Sequence, residues 1–463
     1  MTRRFRTQAL LACLLVLPAM ASAGDRTVRN DRRSSTDQLS RGWLGPGPSP
    51  VELVRSHQKP LPADKQAASL ANAIDLCVES NMYDLDAPGA AVAVVLDGET
   101  IHERGYGLKY RGGSDEVNAD TIFRIGSVTK QMTAAAVMQQ VELGTVDLDD
   151  PVTDYIPGFS VGGRWPADRI TVWHTLTHTS GFPDYINSIG GVGEGALTRW
   201  AGRQNSVGHQ APPGSDYNYA NPNFMLAGLV AERASVVPYR DLFKQNLWEP
   251  AGMHDTTFEP QEVINGDNYA LGHTWDPGSQ REYTIGPRDS DYWAVGPAGM
   301  AFSNVGDLAR WALLLMDGGA PILSQRSTAT MQHPHQTLHL TPDRFYGYGI
   351  FIEEYRGLDV RQHGGNVTGF GTYLLWVPER RFVVALVTNV DQSLYEAAYC
   401  IVNRTLDPPL IPAPDLTTDP ATWKRYEGDY LTTEADGTQY EGTVYLSDGQ
   451  LFIRGDNPDN PGE

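Results

Sequence analysis

The sequence predicts an α+β fold: an antiparallel sheet with helices on its faces. Three observations carry this. Residues 64–81 put Leu70, Ile74, Cys77 and Val78 on one helical face, with Asp64 as the N-cap. An apolar strand over 90–96 turns at Asp97-Gly98 into a return strand over 100–105, which is a hairpin and not the opening of a parallel crossover. Far along the chain, 372–377 and 381–388 read as a second strand pair, and a helical pattern of about five turns, from Ser127 to the glycine cap at Gly144, lies between the two pairs.

Taken in order, residues 1–23 read as a secretory signal. Arg3, Arg4 and Arg6 open it, 9–16 form an apolar run, and Ala21-Ser22-Ala23 offers a small-residue cleavage site, so a periplasmic or secreted protein is expected. The apolar run is too short to span a bilayer, and no other segment is a candidate membrane span. A lipoprotein reading at Cys13 leaves almost no apolar core before the cysteine and ranks below cleavage after Ala23. The chain carries a formal charge of −20, which loss of those three arginines takes to −23. So acidic a surface argues against nonspecific nucleic-acid or anionic-lipid partners. Residues 24–63 carry mixed charge and a Gly-Pro run, and read as a poorly ordered lead-in. Of the 3 cysteines only Cys77 and Cys400 remain after the signal. In an oxidising compartment two cysteines invite a bridge, while two separate buried thiols is the competing reading.

The helix after Gly126 carries Ser127 in its first turn and Lys130 three residues on. Positions i and i+3 share a helix face, so hydroxyl and amine can meet. A serine hydroxyl is a weak nucleophile until a base takes its proton, and an amine serves only if burial or neighbouring charge lowers its pKa from about 10.4. The helix start adds N–H groups that suit a developing oxyanion. S-x-x-K arises by chance about once or twice in a chain of this length. A second copy, Ser56 to Lys59, runs into Pro60 and has no helix to sit on.

Residues 147–156 read as a loop. The following Gly158-Phe159-Ser160-Val161-Gly162 matches the nucleophile-elbow pattern but lacks the strand before and the helix after that the pattern needs, so a plain loop is the better reading. His174 and His178 stand four apart around a short helix over 171–177; without the H-E-x-x-H acid or a third ligand, packing and loop hydrogen bonds are their expected use, and a metal-dependent hydrolase is the weaker reading. Tyr219-Ala220-Asn221 lies in a loop before an apolar helix over 224–233. A phenol beside an ammonium is biased toward phenolate, so Tyr219 is a candidate proton relay, and Asn221 offers a donor and an acceptor to a substrate amide. Alone, such a loop is an ordinary cap. Gln362-His363-Gly364-Gly365-Asn366 enters the second strand pair; its glycines let a ligand backbone approach, and its edge N–H groups suit an acyl substrate, with a bulged edge strand as the plain reading. Asn366-Val367-Thr368 is formally a glycosylation acceptor.

Together and in this order, Ser127-Val128-Thr129-Lys130, Tyr219-Ala220-Asn221 and His363-Gly364-Gly365 resemble the three active-site elements of the serine β-lactamase and penicillin-binding-protein superfamily, in its class C-like branch. Pro88-Gly89-Ala90 and the stretches 176–185 and 298–311 resemble it too, so the likeness covers roughly 64–407. The resemblance implies a second, mostly helical subdomain and a cleft between it and the sheet. It implies Ser127 as the acylated nucleophile, Lys130 and Tyr219 as base and proton relay, and Asn221 as the group that orients the substrate amide. His363 and Gly365 would line the cleft, and the N–H groups of Ser127 and Asn366 would form an oxyanion hole. No metal or organic cofactor is implied, and the partner is a small-molecule or peptide acyl substrate. First and last helices pack side by side in this fold, which supports a Cys77–Cys400 disulfide.

Where dedicated β-lactamases hold lysine, this chain has His363. Histidine is mostly neutral above about pH 6.5, so it captures a carboxylate weakly. The expectation is therefore a secreted serine hydrolase acting on an ester or amide, esterase-like or D-amino-acid-peptidase-like, with β-lactam turnover slow. The alternative is a catalytically idle binder of cell-wall peptides, against which the intact Ser127, Lys130 and Tyr219 argue. Beyond 407, a proline-rich linker over 408–420 leads to a β appendage over 421–463, whose strands at 426–432, 438–446 and 450–454 resemble the start of a lipocalin-like domain.

Overall fold

The computed structural model describes residues 63–184, 191–289, 292–338, 341–409, 427–433, 439–447 and 450–455. The signal over 1–23, the lead-in over 24–63 apart from its last residue, the Ser56 to Lys59 motif and most of the linker over 408–420 lie outside them. The chain separates into two compact units, residues 70–417 and residues 1–69 with 418–463.

In the larger unit, α1 (Ala63–Asp84, which begins in the other unit) leads into the hairpin β1 (Gly89–Leu96) and β2 (Glu99–Gly107). Asp97 and Gly98 turn it with φ of 54° and 87°, the left-handed pair that matches strand twist. The principal later elements are α2 (Thr129–Glu142), α3 (Asn221–Ser235), α4 (Val305–Met316), the strands β3 (Gln336–Leu338), β4 (Thr341–Tyr346), β5 (Phe351–Tyr355), β6 (Leu358–Val367), β7 (Phe370–Val377) and β8 (Phe382–Thr388), and α5 (Tyr395–Leu406). The sheet has 8 strands in the order β2-β1-β8-β7-β6-β5-β4-β3, and every pairing is antiparallel. The first hairpin thus joins the last strand, with Val92 opposite Leu386.

Both faces of the central strands are covered. Ala90, Val92 and Val94 pack with Val384 and Leu386 under α1 and α5, while Ala91, Ala93 and Val95 pack with Val383, Ala385 and Val387 toward the layer that holds α2 and α4. This is why β1 reads as an unbroken apolar run instead of the alternation of a half-exposed antiparallel strand. α2 is buried on all sides, with Ala134, Ala135 and Ala136 fully inaccessible, so small residues let its backbone sit close to its neighbours. Residues 147–156 are not all loop, because Pro151 starts a helical turn over Val152–Tyr155 that buries Val152 and Ile156. Residues 158–162 have neither strand before nor helix after, in keeping with a plain loop. Among the described residues, no helix is long and apolar enough to cross a membrane.

Cys77 of α1 and Cys400 of α5 are joined in a disulfide, with Cα atoms 5.8 Å apart and a sequence separation of 323. Closing so long a loop restricts the unfolded chain, so reduction, or Cys77→Ser with Cys400→Ser, is expected to remove about 2–5 kcal/mol of stability. Thermal melts with and without reductant check this; identical curves refute it. In the smaller unit, β9 (Gly428–Thr433), β10 (Gln439–Ser447) and β11 (Gln450–Gly455) form a 3-stranded antiparallel sheet.

Candidate active site

Ile125 follows a short strand, Phe123–Arg124, and its N–H bonds the Ala301 carbonyl at 3.0 Å; Gly126 then turns the chain with φ of 51°. Ser127 sits in a 3-10 turn over Gly126–Val128 that runs into α2, one step before the α-helix in which it was expected. The turn keeps the i, i+3 relation, and Lys130 Nζ lies 2.9 Å from Ser127 Oγ. Ser127 remains half-buried, whereas Lys130 is 0% exposed.

Three acceptors surround that amine: Ser127 Oγ, Asn221 Oδ1 at 2.8 Å and the Ala298 carbonyl at 2.7 Å. Burial pulls the Lys130 pKa down to about 7, against an opposing pull from Asp184. Near neutrality a large fraction is therefore a neutral amine with two hydrogens and one lone pair. Asn221 Oδ1 and Ala298 O only accept, so they take the hydrogens and leave the lone pair facing the Ser127 hydroxyl.

α3 supplies the next group. Asn221 is its first residue, not part of the preceding loop, and Pro222 follows at a position where the missing N–H is harmless. The amide is held at both ends: Oδ1 accepts from Lys130, and Nδ2 donates to Asp184 Oδ1 at 3.1 Å, which also accepts from Asn221 N at 2.9 Å. Much of the hydrogen-bonding capacity expected to serve a substrate is thus already engaged. Tyr219 stacks beside His178, ring centroids 4.4 Å apart, and Lys130 Nζ lies 4.9 Å from the Tyr219 ring centroid. The bias toward phenolate is overturned. Burial raises the Tyr219 pKa above its ordinary value, the nearby Ser127 hydroxyl lowers it less, and Asp184 raises it further. Burial is the largest of these influences, and the phenol keeps its proton.

His363, Gly365 and Asn366 lie within β6. That strand pairs with β5 only over Leu358–Gln362, while its pairing with β7 continues to Val367. Residues 363–367 therefore have a strand on one side and the Ser127 turn on the other. A Cβ on Gly365 would fall 2.1 Å from the Ile125 carbonyl oxygen and 3.1 Å from Ser127 N, and one on Gly126 would fall 2.7 Å from Asn366 N. Glycine at both positions brings the N atoms of Ser127 and Asn366 to one edge.

His363 is 2% exposed, more enclosed than a cleft-lining residue was expected to be. Its Nδ1 donates to the Gly364 carbonyl at 2.6 Å, so Nε2 accepts from the Tyr346 hydroxyl at 3.2 Å. Burial first, then the Lys130 charge, lowers its pKa to about 3, so it is neutral well below the pH expected of a free imidazole.

His174 and His178 are each engaged in local hydrogen bonds. His174 closes a capping box with Thr171, and His178 Nδ1 accepts from Ala220 N at 3.1 Å. Among the described residues, no group of three or more His, Cys, Asp or Glu side chains is placed to hold a metal ion. Sequence reasoning missed Asp184, Tyr346 and the role of His178 as the platform under Tyr219. Asp184 falls inside the flagged stretch 176–185, but its partner Asn221 is 37 residues away.

The beta-lactamase family profile matches residues 74–405. Penicillin-binding protein 4 of Amycolatopsis lactamdurans is 30% identical over 65% of this chain and 81% of its own length. An unguisins hydrolase of Aspergillus campestris is 28% identical over 73% of this chain, which spans only 65% of that protein. Among solved structures, the D-amino acid amidase of Ochrobactrum anthropi SV3 superposes with a TM-score of 0.62 at 22% identity, covering 73% of this chain and 99% of that one.

Proposed function

The chain belongs to the beta-lactamase family, and from that premise we propose that it is a serine hydrolase that cleaves an ester or amide through an acyl-enzyme on Ser127. One observation carries the reading: Lys130 Nζ sits 2.9 Å from Ser127 Oγ with its pKa brought down to about 7. A hydroxyl facing an amine poised near neutrality is an activated nucleophile.

In the proposed reaction, Ser127 Oγ attacks the acyl carbon as its proton passes to Lys130. The oxyanion would form between the N–H groups of Ser127 and Asn366, a reading supported by the close approach of the backbone at Gly126 and Gly365. The leaving group takes a proton from the Tyr219–Lys130 pair, in which the Tyr219 phenol, kept protonated by burial, lies close enough to the Ser127 hydroxyl to interact with it. Water then attacks the ester, using Lys130 as base again. A neutral, enclosed His363 offers no cation to a substrate carboxylate, which favours esterase-like or D-amino-acid-peptidase-like activity over efficient penicillin hydrolysis. Secretion, proposed from the opening 23 residues, accords with the disulfide.

The test is labelling with a fluorophosphonate or a tagged penicillin. Intact mass is expected to show one adduct, mapped to Ser127 and absent in Ser127→Ala. A folded protein that takes no acylating agent refutes the proposal and favours an idle binder.

A further inference from the structure

Asp184 stands at the open side of the site with half of its carboxylate uncommitted. Oδ1 accepts both bonds from Asn221, but among the described residues Oδ2 has no hydrogen-bond partner, and the side chain is exposed. It is two hydrogen bonds from the amine that faces Ser127, through Asn221 and Lys130. Its charge is felt at both Lys130 and Tyr219. Ser127 and Asn221 share the Lys130 amine, so an acyl group carried by Ser127 would place its substituents toward this carboxylate.

Among the described residues, no standing cation pairs with it. The titratable groups packed around the serine include Lys130, His178, Tyr219, Tyr346 and His363. Both histidines are pushed by burial toward the neutral form, the two phenols keep their protons, and Lys130 is enclosed among three acceptors. The chain as a whole carries a formal charge of −20, which draws cations toward its surface and repels anions.

We propose that Asp184 gives the Ser127 site a preference for acyl donors bearing an ammonium group a few bonds from the scissile carbonyl over those bearing a carboxylate there. This rests on the reading of Ser127 as nucleophile. The two are tested apart by three p-nitrophenyl esters of equal acyl-chain length. One ends in trimethylammonium, one in its neutral tert-butyl isostere, and one in carboxylate, as the glutarate half-ester. The fixed charge keeps the comparison free of substrate titration.

In the wild-type protein the kcat/KM of the cationic ester is expected to exceed that of the anionic one by about tenfold or more, the neutral ester falling between, as a unit charge partly screened by water predicts. Raising the salt shrinks the ratio. Asp184→Asn keeps an oxygen for the two bonds from Asn221 and removes only the charge, so it is expected to bring the ratio within about threefold. Where turnover is slow, the same esters are compared as competitors of fluorophosphonate labelling. A flat ratio in the wild type, or an unchanged ratio in Asp184→Asn, overturns the inference while leaving Ser127 acylation standing. Absence of any Ser127 adduct removes the catalytic reading itself.

Discussion

Lys130→Met is expected to lower kcat/KM at pH 8 by about 10³-fold, the usual contribution of a positioned general base. Methionine matches the length and apolar stem of lysine, so the buried slot stays filled. Two acceptors, Asn221 Oδ1 and Ala298 O, lose their donor, at about 1–3 kcal/mol each. Relief from burying an amine offsets part of that. The wild-type pH profile gives a second check. The working form is the unprotonated amine, so activity is present above the Lys130 pKa of about 7 and is lost as pH falls through it. No basic limb follows until the Tyr219 phenol ionises, which burial moves above its ordinary value. The same amine makes stability pH-dependent: the unfolded chain binds the extra proton between about pH 7 and pH 10.4, so stability rises with pH across that window. A rate flat from pH 5 to pH 9, or a Lys130→Met protein within about tenfold of the wild type, removes Lys130 as base.

What could be read from the sequence divides by range. The Ser127 and Lys130 pair was legible because a helical turn fixes i and i+3 by itself. The strands β1, β7 and β8 were legible because their apolar runs are continuous, a consequence of cover on both faces, whereas β3, β4 and β5 carry no such run and were not read. Even the turn at Asp97-Gly98 follows from two residues. The state of the site groups was not legible, because it depends on depth. Lys130 is enclosed by Asn221, 91 residues away, and by Ala298, 168 residues away, and nothing local announces either. The phenolate expected of Tyr219 presumed a charged lysine, and the same burial that neutralises the lysine keeps the phenol protonated. Asp184 escaped notice because a lone exposed acid is unremarkable until Asn221 is seen to point at it. His363 was expected to line the cleft where relatives hold a cation, but Tyr346 and Phe351 enclose it, and their positions depend on the pairing of β4 with β5 and of β5 with β6.

Gly365→Ala tests whether the close approach of β6 to the Ser127 turn matters as the geometry requires. The added carbon would fall 2.1 Å from the Ile125 carbonyl oxygen, far inside contact, and both neighbours are backbone that no rotamer change can move. β6 is tied to β7 on its other side over Arg361–Val367, so relief must come from the Ser127 turn shifting outward. Overpacking of this kind costs about 1–3 kcal/mol, a fall of about 1–4 °C in Tm for a unit of this size. The loss of activity is expected to be larger in proportion. A displacement near 1 Å separates Ser127 N from Asn366 N and misaims the hydroxyl, which lowers kcat by about 10²-fold, with KM less affected. Gly266→Ala is the control: nothing lies within 4 Å of its added carbon, and it is expected to leave both Tm and rate near the wild type. A Gly365→Ala protein that melts and turns over like the control would mean that the strand and the turn are not held against each other, and the shared edge proposed for the oxyanion would go with that contact.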